Sequence, residues 1–380
     1  MQQRSGPGSE RMSGSKSPEP PANVYRAYDR IAVDYSERTA QLERALDDLL
    51  RLSHRVGTPL LREMKPTIAI ALKWRFDYLA KCLASPFELE ADVQYWQRVV
   101  SMLGELRDVG WFGDRDEAPA AADVWKRTAH GFDVGWTTTT RDERFAASRR
   151  IAEDRTAQII EMMGGASWFA GKAILDSGCG PGRYVDILRA LGPKRIVAMD
   201  QGPRLVDAVR ERFKGDDLVE VRRGTCERLE FADDASFDFV LSNGVLHHTP
   251  GHIPTMLADH ARVLRPGGAM FIMLVGKGGL ELKIWEFLRG FLHDVPIELM
   301  LERFESVMSP LRLQGIVDHM YGEYQQTDRD EFESWCRPLF NRIVRVPGIA
   351  GLDVTPELYA DDPYLVPRFG TGHLRYLLFK

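Results

Sequence analysis

Residues 174–182 read Ile174-Leu175-Asp176-Ser177-Gly178-Cys179-Gly180-Pro181-Gly182, and the fold of the chain is decided there. The stretch from 173 to 178 is apolar until it ends on Asp176-Ser177-Gly178, which reads as a buried strand running into a loop. Glycines at 178, 180 and 182 let the backbone turn sharply and leave no side chains between it and a ligand. A helix at 182–191 follows, and its first N–H groups carry a partial positive charge.

The spacing narrows the ligand. A dinucleotide loop wants G-x-G-x-x-G around a pyrophosphate. Here the pattern is G-x-G-x-G, and position 183 is Arg. Asp176, two residues before the first glycine, repels a pyrophosphate and suits an ammonium group such as that of a methionine moiety. This charge argument favours S-adenosylmethionine over a nicotinamide dinucleotide. One strand later, Arg195-Ile196-Val197-Ala198-Met199-Asp200 ends in an acid placed to accept from both hydroxyls of a ribose. A strand-ending Asp also caps helices, so Asp200 gains its meaning from the loop upstream.

Outward from this core, strands are expected at 173–178, 195–200, 218–222, 237–242 and 269–275. Helices are expected at 182–191, 203–214 and 252–264. Alternation of this kind implies an α/β fold with a doubly wound, Rossmann-like sheet. A late pair, 349–355 and 372–379, completes seven strands. A helix at about 145–163 leads into the sheet. Leu42, Leu46, Leu49 and Leu50 recur at helical spacing, a second helix covers 68–83, and Ser85-Pro86-Phe87-Glu88 opens a third. The expected domains are a disordered tail over 1–23, a helical N-terminal domain over 24–122 that ends in an acidic, Ala-rich linker, and a catalytic domain over 123–380. Within the last, 276–345 forms a helical insertion after strand five, read as a substrate lid.

Composition excludes several classes. The formal net charge is −5 and 44% of the residues are hydrophobic, with no dense basic stripe for nucleic acid. Cys82, Cys179, Cys226 and Cys336 are far apart, which argues against a zinc site or disulfide framework and for a reducing cytoplasm. No signal-type or membrane-spanning apolar run is read.

Four ordered motifs resemble the class I S-adenosylmethionine-dependent methyltransferases, especially the group that includes ubiquinone and menaquinone biosynthesis enzymes. They are the glycine loop, the strand ending at Asp200, the run from Phe237 to His248 (FDFVLSNGVLHH), and Arg262-Val263-Leu264-Arg265-Pro266-Gly267-Gly268. The resemblance spans about 125–275. It implies a seven-stranded methyltransferase sheet and a cofactor held by Asp176, Ser177, Gly178, Cys179, Gly180 and Gly182. Asp200 would hold the ribose and Gln201 would lie beside the adenine, with Asn243 and Gly244 near the methyl group. Where the family often has Gly-Asp-Ala-Glu this chain has Gly224-Thr225-Cys226-Glu227, so the adenine contact passes to Thr225 or the backbone of Cys226. Trp136 is read as closing over the cofactor.

The activity implied is transfer of a methyl group to an oxygen, nitrogen or activated carbon of a small molecule. The alternatives are a nucleic-acid or protein methyltransferase and a cofactor-binding scaffold. His248 is the first candidate base, with His319 and Tyr321 secondary. No metal is expected. The expected partners are a small-molecule substrate and, through the N-terminal helices, a second copy of the chain, with no nucleic acid and no membrane.

Overall fold

The computed structural model describes residues 35–81, 86–110, 123–138, 142–305, 308–309, 313, 315–349, 353–358 and 368–380. The tail at 1–23, the cap position Ser85, the linker at 113–122 and Cys82 lie outside the described residues.

Three helices come first, α1 (Tyr35–Val56), α2 (Pro59–Lys81) and α3 (Pro86–Asp108). Leu42, Leu46 and Leu49 of α1, Ile68, Leu72 and Phe76 of α2, and Val93, Val100 and Leu103 of α3 are buried at three-, four- and seven-residue spacing. Helix α2 begins at Pro59, well before the expected start at 68, and runs through Pro66. Two more helices follow, α4 (Val124–Thr137) and α5 (Asp142–Met162).

The sheet is then built from β1 (Ala173–Ser177), β2 (Arg195–Asp200), β3 (Val219–Arg223), β4 (Phe237–Asn243), β5 (Leu264–Val275), β6 (Arg342–Arg345) and β7 (His373–Phe379). Between them run α6 (Arg183–Arg189), α7 (Pro203–Arg212), α8 (Ile253–Val263), α9 (Leu280–Phe291), α10 (Ile297–Phe304), a π-helical turn (Val317–Tyr321) and α11 (Arg329–Cys336). The strand order is β3-β2-β1-β4-β5-β7-β6. β1 to β5 pair in parallel, while β7 runs antiparallel to both β5 and β6. The α/β doubly wound arrangement is the one expected. β1 is buried along its whole length, as a central parallel strand covered on both faces should be. The order reverses between β1 and β4, so the crevice for a ligand opens at the carboxyl ends of β1, β2 and β4.

One strand is not where the sequence placed it. The sixth strand is Arg342–Arg345, paired with β7 from Phe379 to Tyr376, and not 349–355. Pro347 has no N–H to donate, so pairing cannot continue through it. The chain instead leaves the edge and buries Asp353 and Thr355 in a loop. β5 also starts earlier than expected: it includes Arg265-Pro266-Gly267-Gly268, with its register against β4 shifting between Phe237 and Phe239.

The N-terminal helices and the segment after β5 share one apolar core. Leu42, Leu49, Ile68 and Val93 pack in the same cluster as Ile284, Leu288, Phe291, Met300 and Val317. Gly290 of α9 abuts Leu50 of α1, where an added methyl would sit 3.2 Å from a leucine methyl. α4 packs against α10 and the π turn on one side and against α7 beside the sheet on the other.

Candidate active site

The glycine loop is held open by its own backbone. Gly178 has φ +85° and Gly182 φ +83°, a region that side chains other than glycine rarely adopt. A side chain at 178 would strike Val245 at 2.4 Å, whereas one at Gly180 would meet nothing within 4 Å and would fill the cavity itself. The N–H groups of Gly178 and Cys179 both donate to the carbonyl of Met199, at 2.8 and 2.9 Å, which ties the loop to β2.

Asp200 locks the same corner. Its carboxylate accepts from the N–H of Gly180 and of Gly202, each at 2.9 Å. Burial raises its pKa above the usual carboxylate value, and the two backbone donors pull the other way. α7, just beyond, has Gly202 at its N-cap and no capping side chain of its own. Asp133 of α4 does this work from a distance, accepting from Arg204 N–H at 2.9 Å and Leu205 N–H at 3.2 Å. A side chain on Gly202 would meet the Asp133 carboxylate at 2.6 Å.

Asp176 is 1% exposed and neither carboxylate oxygen has a hydrogen-bond partner. Burial pushes its pKa up to about 7, against the pull of Arg183, with Asp200 adding to the rise. A buried carboxylate in this state is short of a cation.

A cavity of about 300 Å³ opens above this layer. One wall is the nucleotide-like corner, with Gly178, Cys179, Gly180, Asp200, Gln201 and Cys226. Asn243 and Gly244 stand at the end of β4, and the Asn243 side-chain oxygen is buried without a partner. The other wall carries Phe132 and Trp136 of α4, His247 and His248 after β4, Asp318 and His319 of the π turn, and His373 at the start of β7. The guanidinium of Arg183 sits 4.5 Å from the centre of the Trp136 ring.

His248 Nδ1 lies 2.7 Å from the carbonyl of Glu323, so it carries the proton and donates, which leaves Nε2 as the lone-pair nitrogen. Burial lowers the pKa of His248 to about 4. Burial lowers His319 to about 3, with His373, His248, Lys73 and Arg289 adding to the fall. His319 stacks on Trp285 at 4.7 Å. Gln325 clamps this region, its side-chain amide donating to the carbonyls of Thr249 and Gly251, both at 2.7 Å.

A family model described as a methyltransferase domain matches residues 175–272. Malonyl-[acyl-carrier protein] O-methyltransferase of Serratia marcescens is 28% identical over 219 residues, which cover 52% of this chain and 77% of that protein. Phthiotriol/phenolphthiotriol dimycocerosates methyltransferase of Mycobacterium leprae is 40% identical over 100 residues, covering 26% of this chain and 36% of the relative. Residues 175–272 thus form a domain of the class I S-adenosylmethionine-dependent methyltransferase type. Among solved structures, the 1,6-didemethyltoxoflavin-N1-methyltransferase of Burkholderia thailandensis aligns with a TM-score of 0.39 at 19% identity, over 70% of this chain and 93% of that one.

S-adenosylmethionine is accordingly the cofactor of this methyltransferase, and the residues present fit it. Asp176 offers a buried negative charge without a partner, and the open space beside Gly180 is a cradle for a ligand.

Not every expected site residue reaches the cavity of the methyltransferase. Asp176 and Ser177 lie in the layer beneath it. Ser177 donates to His260 Nε2 at 2.9 Å, while His260 Nδ1 donates to the Met256 carbonyl at 2.8 Å, a bond chain that pins α8 to β1. Gly182 caps α6, and Thr225 is exposed, with its hydroxyl accepting from Glu227 N–H. Tyr321 packs away from the cavity against Gly131, with Arg127 stacked 4.8 Å from its ring centre, and burial raises its pKa. Among the described residues no His, Cys, Asp and Glu group is arranged to hold a metal, and no helix is long and apolar enough to cross a membrane.

Phe132, Arg155 and His373 line the cavity with no sequence motif to announce them. Phe132 had one signal: it stands four residues before Trp136 on one face of a helix.

Proposed function

We propose that the enzyme transfers a methyl group from S-adenosylmethionine to a small molecule held between the glycine-loop wall and the histidine wall. The observation that carries this is the single cavity of about 300 Å³ bounded by both walls. When bound, the cofactor supplies a methyl group already activated by its sulfonium. The chain supplies position: Asp200 and the loop fix the nucleoside end, and Asp176 supplies the charge for the ammonium. Asn243 and Gly244 bracket the reacting centre, and the histidine wall orients the acceptor. His248 faces the acceptor with Nε2 as its available nitrogen, and His319 stands across from it. Tyr321 acts through α4 and is not proposed to touch the acceptor.

The relatives named above act, by their names, on malonyl-[acyl-carrier protein] and on phthiotriol or phenolphthiotriol dimycocerosates. A small-molecule acceptor is consistent with both. The test is incubation with labelled cofactor and a panel of metabolites, with tRNA and a protein mixture run in parallel. Label in a product gaining one methyl group supports the reading, and label confined to the macromolecules overturns it.

The body formed by α1–α3 with α9 and α10 serves in this proposal as the roof of the acceptor site. Trp74, Tyr78 and Tyr95 on α2 and α3 are 49%, 58% and 56% exposed, and support a homodimer through these helices. Sedimentation should show a species of twice the chain mass, reduced by Trp74→Ser with Tyr95→Ser. A reducing cytoplasm suits Cys179, Cys226 and Cys336, which are free and buried.

A further inference from the structure

We infer that the cofactor site has a second charged pole, in which Arg183 and the Tyr184 hydroxyl receive the carboxylate of S-adenosylmethionine while Asp176 receives its ammonium. This deepens the cofactor reading above and rests on it. Asp176 answers one charge of an α-amino acid and leaves the other to be met. The two residues that follow the last glycine of the loop, Arg183 and Tyr184, both line the cavity. Tyr184 is 3% exposed, and its hydroxyl is buried with no hydrogen-bond partner. Buried hydroxyls are seldom left unpaired, so one on a cavity wall marks the place of a polar ligand.

Arg183 is held in place without being neutralised. Its guanidinium lies 4.5 Å from the centre of the Trp136 ring and 5.3 Å from that of Tyr184, and Nη1 donates to the Ser148 hydroxyl at 3.0 Å. These contacts fix the plane of the group and leave most of its N–H donors for a ligand. Among the described residues no carboxylate forms an ion pair with it. Asp176 and Asp318, the latter on the π turn and also lining the cavity, act on Arg183 only across space. The other acids nearby are engaged: Asp353 pairs with Arg155 at 2.7 Å and Arg375 at 2.8 Å, Asp186 pairs with Arg149, and Asp200 accepts from the N–H groups of Gly180 and Gly202. A guanidinium on a cavity wall, in surroundings that disfavour its charge, is short of an anion.

The position of this cation assigns the anion to the cofactor. An α-amino acid carries its ammonium and its carboxylate on one carbon, so the two poles that hold it must be neighbours. Asp176 ends β1 and Arg183 begins α6, at the two ends of one glycine loop. The loop folds them back toward each other, and Arg183 is the cation that acts on Asp176. They nevertheless do not pair, which leaves room for a zwitterion between them. Arg183 is also the residue that breaks the dinucleotide spacing of the loop, so the same position that argues against a pyrophosphate supplies a carboxylate anchor. Trp136 acts on the cofactor through Arg183, as a positioning residue that holds the guanidinium plane.

The test is calorimetric titration with S-adenosylmethionine and with its decarboxylated form, which keeps the nucleoside, sulfonium and ammonium and lacks only the carboxylate. The wild type should bind S-adenosylmethionine about ten- to a hundredfold tighter, the worth of a hydrogen bond to a charged group. Arg183→Gln should bring the ratio near one by weakening S-adenosylmethionine. The decarboxylated form should bind that variant as well as before or tighter, because a cation that repels its ammonium has gone. Arg183→Lys restores the charge without the planar fork and should recover part of the ratio, and Tyr184→Phe should lower it by a smaller factor. Unfolding midpoints report whether each variant is folded. Equal binding of the two forms by the wild type, or a ratio unchanged in Arg183→Gln, would overturn the inference. Binding of 5′-methylthioadenosine, which lacks the whole amino-acid portion, separates the two levels. If it binds while the carboxylate makes no difference, only the carboxylate pole is refuted; if neither it nor S-adenosylmethionine binds, the cofactor reading falls and the inference with it.

Discussion

Asp176→Asn should make the empty protein more stable and the cofactor bind less well. In the empty protein the carboxylate has no partner, and burial carries its pKa from 3.8 to about 7. Because the folded pKa is raised, the folded state binds a proton more tightly than the unfolded one. Stability is then highest below pH 3.8 and is lost as pH rises toward 7. The shift is worth about 4 kcal/mol at most, at 1.36 kcal/mol per unit. Asn removes that cost but leaves a buried amide with few partners, costing roughly 1–3 kcal/mol. The expected net gain is about 1–3 kcal/mol at pH 7.5, read as a higher urea midpoint at unchanged slope. Cofactor binding moves the other way. Losing the charge opposite an ammonium costs about 1.5–3 kcal/mol, a ten- to hundredfold rise in Kd. In the wild type, binding needs Asp176 ionised, so affinity should rise about tenfold per unit between pH 5.5 and 7 and then level off, with proton release seen in buffers of different ionisation heat. A variant less stable than wild type that binds S-adenosylhomocysteine with the same Kd would refute the reasoning on both counts.

Other perturbations carry equally definite signs. Asp133→Ala removes the distant cap of α7, so thermal unfolding should show a loss of about 0.5–2 kcal/mol and calorimetry a weaker cofactor, because Asp200 and Gln201 precede that helix. Gly135→Ala drives a methyl to within 2.4 Å of Val317, so it should cost about 1–3 kcal/mol and weaken acceptor turnover more than cofactor binding. His248 has a folded pKa of about 4 against 6.5, so the unfolded chain takes up its proton first. That contribution is fully present above pH 6.5 and is lost as pH falls to 4, by about 3 kcal/mol at most. The stability of wild type minus His248→Gln, followed by urea titration across that range, should fall with pH, and a flat difference would refute the burial argument.

Much of the sheet was legible because its signals are local. Asp176, Gly178 and Gly180 sit at one strand-to-helix turn, and Asp200 ends the next strand, so their proximity follows from parallel pairing alone. The sixth strand was not legible: both 342–345 and 349–355 carry β-branched residues, and the choice depends on which one can meet β7 without Pro347 in the ladder. Helix α2 was read short because Pro66 resembles a boundary until tertiary packing on α3 and α9 overrides it. Tyr321 and His319 share one turn and read alike, yet the π geometry places His319 at the cavity and Tyr321 against α4. Asp133 had no readable role, since its partners are 71 and 72 residues away. The union of the N-terminal helices with α9 and α10 likewise depends on contacts between distant segments.

The most direct measurement is a crystal structure of the protein with S-adenosylhomocysteine. The expected result has the ribose on Asp200, the amino group over the Asp176 layer, the backbone of Gly180 against the ligand, and the sulfur facing His248 and His319 across the cavity. Density for the ligand outside the cavity, or with its sulfur turned away from the histidine wall, would contradict the assignment of this site.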